Sequence, residues 1–326
     1  MLFTIVFLAM ETKRKRNRAK ILVVVHDAGG AETIGAYIQK HLSENDFYIY
    51  GSGPAVRIFR RLHLPLRKIT DDRQEISSIM QRHKDAKYAL LAAPGWMTRI
   101  EISALEEAKR VGLKTVVYMD GWVDERKRFG YPRRGWKKRL PDIFWAGDMH
   151  EEANMRRQFP NIPIRRVPNQ YFTNHIKEYR SMKRAAPSPD AVLFMSQDGT
   201  HSDELLKGLL NAFVSQKRYV HLRIRYHPVD SRKRYDAILR MFKEKMRVEK
   251  SREKDIVKDL LRARVVVGTE TNAMVLAVLC GIRTINVLKK GEHTELPFPA
   301  IKRVRSATGA ARLISAQEFS RPPSAI

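Results

Sequence analysis

Residues 264–288 read RVVVGTETNAMVLAVLCGIRTINVL, and the order of residue types in them decides the fold class. Val265, Val266 and Val267 form a β-branched run without alternation, which suits a strand covered on both faces, as in a parallel sheet. Gly268 frees the backbone to turn, Thr271 or Asn272 can cap a helix, and Gly281 stands where a left-handed residue commonly ends one. The helix between them, 273–280, is apolar on every side and so belongs in an interior. Residues 282–288 resume as a strand. The helix start directs backbone amides and a partial positive charge at the loop 268–272, where a phosphate would be stabilised, and the hydroxyls of Thr269 and Thr271 add donors. The same residues also fit an ordinary βαβ unit with a capped helix and no ligand.

Outward from this stretch the β-then-α alternation covers most of the chain. In the second half, strands are expected at 191–195, 220–225 and 246–249, with helices at 202–216, 231–242 and 253–262. In the first half, strands are expected at 21–25, 47–50, 88–92, 114–119, 142–146 and 164–167, with helices at 31–42, 55–62, 101–111 and 151–158. Such alternation implies parallel sheets with helices on both faces. The expectation is an α/β chain of two Rossmann-like domains, 21–172 and 191–326, facing across a cleft. A charged, Pro- and Ser-rich linker spans 173–190, and the last helix can return to the first domain. No internal repeat or low-complexity segment interrupts the pattern.

Composition narrows the class. The 326 residues carry 43% apolar and 9% aromatic side chains, enough for real cores. The one cysteine, Cys280, excludes an internal disulfide and any zinc site built on several cysteines, and fits a reducing, cytoplasmic setting. Sixty-two basic against 35 acidic residues leave a charge of +27, which favours polyanions: nucleic acid, an anionic membrane surface or phosphorylated substrates. The excess clusters at 13–20, 126–139 and 217–254, the last being mixed with acids as in a solvated helix face. The apolar start, MLFTIVFLAM, is shorter than the about 20 residues of a membrane span, and its positive charge follows rather than precedes it, unlike a secretory signal. It reads as a lead-in with Met10 as an alternative start, or as a weak interfacial anchor at the inner membrane face.

Ligands of open α/β sheets gather beyond the carboxyl ends of strands, so the loops there hold the candidate residues. On the first domain these are His26, Gly29 and Gly30 in HDAGG, Ser52 and Gly53 in GSGP, Pro94 in PGW, and Asp120 and Trp122 in DGW, with Arg128 beyond. HDAGG lacks the G-x-G-x-x-G spacing and the Walker lysine. Asp120 can act as a general base toward an acceptor hydroxyl, or simply start a turn. Trp122, Phe129, Tyr131 and Trp136, interleaved with arginines, could stack on sugar or base rings. On the second domain, Arg225-Tyr226-His227-Pro228 ends a strand, and the proline biases His227 to an extended backbone that projects its imidazole outward. Ser196 ends the preceding strand. The metal motifs D-x-D and H-E-x-x-H are missing, as is G-x-S-x-G, so neither a metal centre nor a serine triad is expected.

The run VVVGTETNAMVLAVLCGI, preceded some forty residues earlier by RYHP, resembles the C-terminal domain of bacterial glycosyltransferases of the GT-B type. The sialyltransferase, polysialyltransferase and capsule or teichoic-acid transferase groups are the nearest in pattern. The resemblance implies that His227 and Thr269 with Thr271 hold the donor phosphates; Ser196, Arg225, Gly268, Glu270 and Asn272, from the same strand ends and loop, are the further donor-side candidates. The first domain, with Asp120-Gly121-Trp122 and Ser52-Gly53-Pro54, would then be the acceptor side. The chain departs from those groups in two ways: the acidic motif that supplies their base is only partly present, leaving Asp120 as the candidate, and Glu270 stands between the threonines, where it would repel a phosphate unless it turns away to a ribose hydroxyl.

Three functions follow as expectations. The first is a metal-independent, inverting glycosyltransferase that moves a sugar, or a glycerol-phosphate type group, and needs no cofactor beyond its nucleotide-activated donor. It would serve an anionic or lipid-linked cell-envelope acceptor in the cytoplasm or at the inner membrane face. The second is a nucleic-acid-binding protein on a GT-B-like scaffold. The third is a sugar-nucleotide epimerase. A non-catalytic relative of any of these fits the same residues.

Overall fold

The computed structural model describes residues 18–95, 97–122, 124–182, 191–197, 201–227, 230–231, 233–289, 291, 294 and 296–316. The lead-in before residue 18, Trp96, the linker residues 183–190 and Pro228 lie outside the described residues. The chain divides into two compact units, Met1–Tyr171 and Phe172–Ile326.

The first unit is a seven-stranded parallel sheet in the order β3-β2-β1-β4-β5-β6-β7. Its strands are β1 (Ala19–Val25), β2 (Asn45–Gly51), β3 (Leu66–Lys68), β4 (Tyr88–Ala92), β5 (Thr115–Tyr118), β6 (Ile143–Ala146) and β7 (Ile164–Arg166). The helices are α1 (Ala28–His41), α2 (Pro54–Arg61), α3 (Arg73–Arg82), α4 (Ile100–Arg110), α5 (Glu125–Arg128) and α6 (Met149–Gln158). Apolar side chains pack on both faces of the sheet. Ile21, Val23 and Val25 share one cluster with Ile34 and Ile38 of α1. Leu22 and Val24 join another, with Ile76, Ile79 and Met80 of α3 and Leu105 of α4. The ILVVV run lacks alternation for this reason: each face of β1 is covered by a helix layer.

The stretch between α2 and β4 holds β3 and α3, neither of which the hydrophobic pattern announces. Asp72 caps α3 by accepting from the Glu75 N–H at 2.7 Å, and Glu75 accepts in return from the Thr70 N–H at 2.9 Å.

The second unit begins within α7 (Gln170–Ser181), so the stretch expected as a linker opens as a helix. Its six-stranded parallel sheet has the order β10-β9-β8-β11-β12-β13. The strands are β8 (Ala191–Met195), β9 (His221–Arg225), β10 (Val248–Lys250), β11 (Val265–Gly268), β12 (Arg283–Val287) and β13 (Ile301–Val304). The helices are α8 (His201–Ser215), α9 (Asp236–Phe242), α10 (Ile256–Arg262), α11 (Asn272–Leu279) and α12 (Ala307–Ser315). The three valines of β11 are fully buried, each worth roughly 1.5–3 kcal/mol on transfer from water. Thr271 caps α11, its Oγ1 accepting from the Ala273 N–H at 3.1 Å, and Gly281 follows the helix with φ +76°. The βαβ reading of residues 264–288 is what forms. Helix α12 packs on α8 within this unit.

Both sheets are doubly wound. The strand order reverses between β1 and β4 in the first unit and between β8 and β11 in the second, and at these switch points ligands of such sheets bind. Among the described residues no helix is long and apolar enough to cross a membrane.

Candidate functional site

At the switch point of the first unit, glycines let side chains approach the backbone. A Cβ on Gly95 would lie 1.6 Å from Asp27 Oδ2, one on Gly29 would lie 2.5 Å from Asp120 Oδ2, and one on Gly53 would lie 2.3 Å from His26 Nε2. Four of the strand-end loops, those after β1, β2, β4 and β5, therefore converge on His26, Asp27 and Asp120. Asp27 Oδ1 is 2.6 Å from His26 Nδ1. Asp120 sits against the first turn of α1, whose partial positive charge favours an anion, and Arg128 Nη1 donates to its Oδ1 at 3.0 Å. Burial nevertheless dominates and pushes the Asp120 carboxyl upward, with Arg128 opposing.

Glu101, in the first turn of α4, completes this group and was not among the residues that sequence reasoning picked out. It is 1% exposed, and its Oε1 accepts the His26 N–H at 2.7 Å while its Oε2 has no hydrogen-bond partner. Burial pushes its carboxyl up to about 8, with Asp27 and Asp120 adding repulsion. Glu101 is thus protonated near neutrality beside two other carboxyl groups. A base and an acid of separated affinity in one cluster can take a proton and return one. Behind them, Asp148 caps α6 and Glu151 accepts the Gly147 N–H in return; burial raises the Glu151 carboxyl well above the usual range, with that hydrogen bond opposing.

The remaining first-unit expectations divide. Pro94 is buried beside Gly95, Ser52 is half-buried before Gly53, and Gly30 abuts Ala92 with no room for a side chain. Trp122 and Phe129, expected to stack on ligand rings, are core residues instead. Trp122 is 5% exposed and its Nε1–H donates to Asp148 Oδ2 at 2.9 Å, while Phe129 is enclosed by Phe144 and Phe159. The basic loop is likewise split: Arg126 donates to the Gln158 carbonyl and Arg139 to Glu106, whereas Arg133, Arg134, Lys137 and Lys138 are exposed.

The switch point of the second unit is a polar network. Ser196 Oγ lies 2.6 Å from both Asp230 Oδ2 and the Tyr235 hydroxyl, and burial raises the latter to about 12, so it stays neutral. Asp230 Oδ2 also accepts the His227 N–H at 3.0 Å, fixing the backbone at the end of β9, and the imidazole is half-buried there with its Nδ1 turned away from solvent. Arg234 spans the network, pairing with Asp230 and with Asp203 and donating to the Gln197 carbonyl at 3.0 Å. Thr269 Oγ1 donates to Gln197 Oε1, joining β11 to β8, and Gly268 lets the strands close, since a Cβ there would meet the Met195 carbonyl at 2.7 Å. Asp230, Arg234 and Tyr235 lie in a stretch that reads as a charged helix face, and only their meeting with Ser196 marks them.

Two second-unit expectations take a different form. Arg225 is held by Asp259 at 2.6 Å and by the Glu253 and Lys254 carbonyls, so its guanidinium anchors the loop before α10. Glu270 turns toward β12 and the loop beyond it, where Asn286 Nδ2 and the Leu296 N–H donate to its two oxygens. Its carboxylate is thereby bound by donors rather than left to repel an anion at the start of α11, where Thr271 and Asn272 remain half-buried.

No protein-family profile matches the chain, and no curated protein sequence does. Solved structures do. The UDP-GlcNAc 2-epimerase from Neisseria meningitidis, bound to UDP-GlcNAc, superposes with a TM-score of 0.64 at 12% identity, covering 92% of each chain. The fold is of the GT-B type. MurG from Acinetobacter baumannii follows with a TM-score of 0.60 at 10% identity, over 93% of this chain and 90% of that one. UGT2 of Phytolacca americana, complexed with UDP-2-fluoro-glucose and pterostilbene, has a TM-score of 0.60 at 11% identity, over 93% and 92%. The GT-B neighbours thus include both transferases and epimerases, and the likeness at this identity speaks of the fold.

Proposed function

We propose that the protein is a nucleotide-sugar-dependent glycosyltransferase in which the second unit binds the nucleotide and Asp120 supplies the base. The observation that carries this reading is Asp120 itself: a carboxylate at the end of β5, seated on the start of α1, oriented by Arg128 and raised by burial above the ordinary carboxylate range. The acceptor hydroxyl would lose its proton to Asp120 as its oxygen bonds to the anomeric carbon and the bond from that carbon to the donor phosphate breaks. Negative charge then grows on the leaving nucleotide, and the start of α11 with His227 favours it there. Neighbours that hold UDP compounds support a nucleotide sugar as the donor. The exposed cations 133, 134, 137 and 138 suit an anionic or lipid-linked acceptor of the cell envelope. The transfer is proposed to run without a metal.

A second reading, epimerisation of the nucleotide sugar, is favoured by Glu101. A protonated carboxyl beside Asp27 and Asp120 provides the acid that such a reaction needs to return a proton to the sugar carbon.

A thermal-shift panel of CMP, UDP, GDP and CDP tests the nucleotide site. One of them at about 100 times its dissociation constant should add roughly 2.7 kcal/mol of stability, and His227→Ala should abolish the shift. No shift with any nucleotide sinks both readings. Incubating the matching nucleotide sugar in D2O without acceptor separates them: deuterium in the recovered sugar means epimerisation, and turnover only with an acceptor means transfer.

A further inference from the structure

We propose that His175, Glu178 and Asp255 form a binding site for one divalent transition-metal ion, apart from the residues assigned to the reaction. His175 and Glu178 are three residues apart on α7 and so share a face of that helix. Asp255 comes from 77 positions further along the chain, as the N-cap of α10: its Oδ1 accepts the Val257 N–H at 2.9 Å, which fixes the carboxylate and leaves Oδ2 to point elsewhere. One ligand atom from each of the three side chains lies within 4.8 Å of the other two. Ligands of a tetrahedral ion at about 2.1 Å sit about 3.4 Å apart, so the three atoms have at most about 1.4 Å to close, which the two side chains on α7 can supply.

The chemistry of the donors selects the ion. An imidazole with two carboxylates suits Zn2+, Co2+ or Ni2+, whereas Mg2+ and Ca2+ favour oxygen alone. In a chain with 62 basic residues, two carboxylates here lie beside an imidazole. Among the described residues neither forms a salt bridge with a lysine or arginine, and the His175 imidazole acts on Glu178 ahead of Lys258. An ion between the carboxylates would replace their repulsion by two attractions. All three side chains are exposed or half-buried, so the ion can enter from solvent, with water completing its shell.

The position gives the ion a consequence. Arg225, at the end of β9, grips the carbonyls of Glu253 and Lys254 just before Asp255, at 3.3 and 3.2 Å. Binding would fasten α7 to the same loop that Arg225 holds under the strand leading to His227. Metal motifs contiguous in sequence gave no hint, because the third ligand comes from a distant segment.

The test uses the full chain without a histidine tag, stripped with chelator, and titrated calorimetrically with ZnCl2 and separately with MgCl2. We expect one Zn2+ per chain, a rise in melting temperature with Zn2+ and none with Mg2+. Asp255→Asn, which keeps a capping side chain, and Glu178→Gln, on the surface, should each weaken Zn2+ at least tenfold while leaving the metal-free melting temperature unchanged. His175→Ala should do the same. Absence of saturable Zn2+ binding, unchanged affinity in these variants, or Mg2+ bound equally well would overturn the proposal.

Discussion

Arg128 and Asp120 form an ion pair at 3.0 Å with side chains only 14% and 9% exposed. Removing one partner of such a pair leaves a charge in a poorly solvated place, which costs about 3–5 kcal/mol, whereas removing both costs far less. Arg128→Met should therefore destabilise the fold more than Arg128→Met with Asp120→Asn together. Urea unfolding at pH 7 reads the difference, and equal losses would mean that the pair is not desolvated. Asp120→Asn alone leaves Arg128 unpaired and should also lower stability, and in the protein that remains folded turnover of the nucleotide sugar should fall by about 10²–10⁴.

Glu101 makes stability depend on pH in the sense opposite to that of a salt-bridged acid. Its carboxyl ionises near 8 in the folded chain against the ordinary 4.5, so between those values the folded state keeps a proton that the unfolded state releases. Its contribution is full below about pH 4.5 and is lost as pH rises through 8, with a slope of up to about 1.4 kcal/mol per pH unit. Glu101→Gln preserves the acceptor for the His26 N–H and removes the titration. Relative to the natural protein, the variant should gain stability steadily from pH 5 to pH 8, as followed by denaturant melts across that range. A constant offset would show that Glu101 titrates normally.

Gly95 and Asp27 compete for one volume. A methyl group on residue 95 would stand 1.6 Å from Asp27 Oδ2 and 2.3 Å from its Cγ, so Gly95→Ala must expel the aspartate from its place beside His26. We expect a loss of about 1–3 kcal/mol in stability together with loss of turnover. In an Asp27→Gly background the same alanine should cost almost nothing, because the two changes share one contact. Additive effects in this double-mutant cycle would show that the alanine acts elsewhere.

The parallel sheets were legible because burial on both faces writes itself into runs such as ILVVV and VVVG, and the strand ends followed from them. Asp120 was found by its place at one such end. Glu101 was not, because a glutamate in the first turn of a helix ordinarily faces solvent, and only the closing of β1 and β4 over it reveals the burial. The stretch between α2 and β4 was missed because its strand is three residues long and its helix is mostly polar, although Asp72 and Glu75 carried a capping signal. Trp122 and Phe129 were misread because a basic, aromatic segment does not say which rings face inward. There the deciding facts are the indole N–H on Asp148 and the phenyl rings around residue 129.

Thr271 separates the two meanings of the stretch at 264–288. Its Oγ1 caps α11 through the Ala273 N–H, and the same helix start is the proposed seat of the donor phosphate. Thr271→Ala removes the cap and should cost about 1 kcal/mol, while taking only one neutral donor from the ligand. Thr271→Asp supplies an equally good cap, so the melting temperature should hold, but it adds a negative charge where the nucleotide phosphate binds. Affinity for the nucleotide selected by the thermal-shift panel should then fall tenfold or more in Thr271→Asp and much less in Thr271→Ala, measured by calorimetry at fixed ionic strength. If the aspartate variant binds as tightly as the natural protein, the start of α11 is a capped helix end and nothing more.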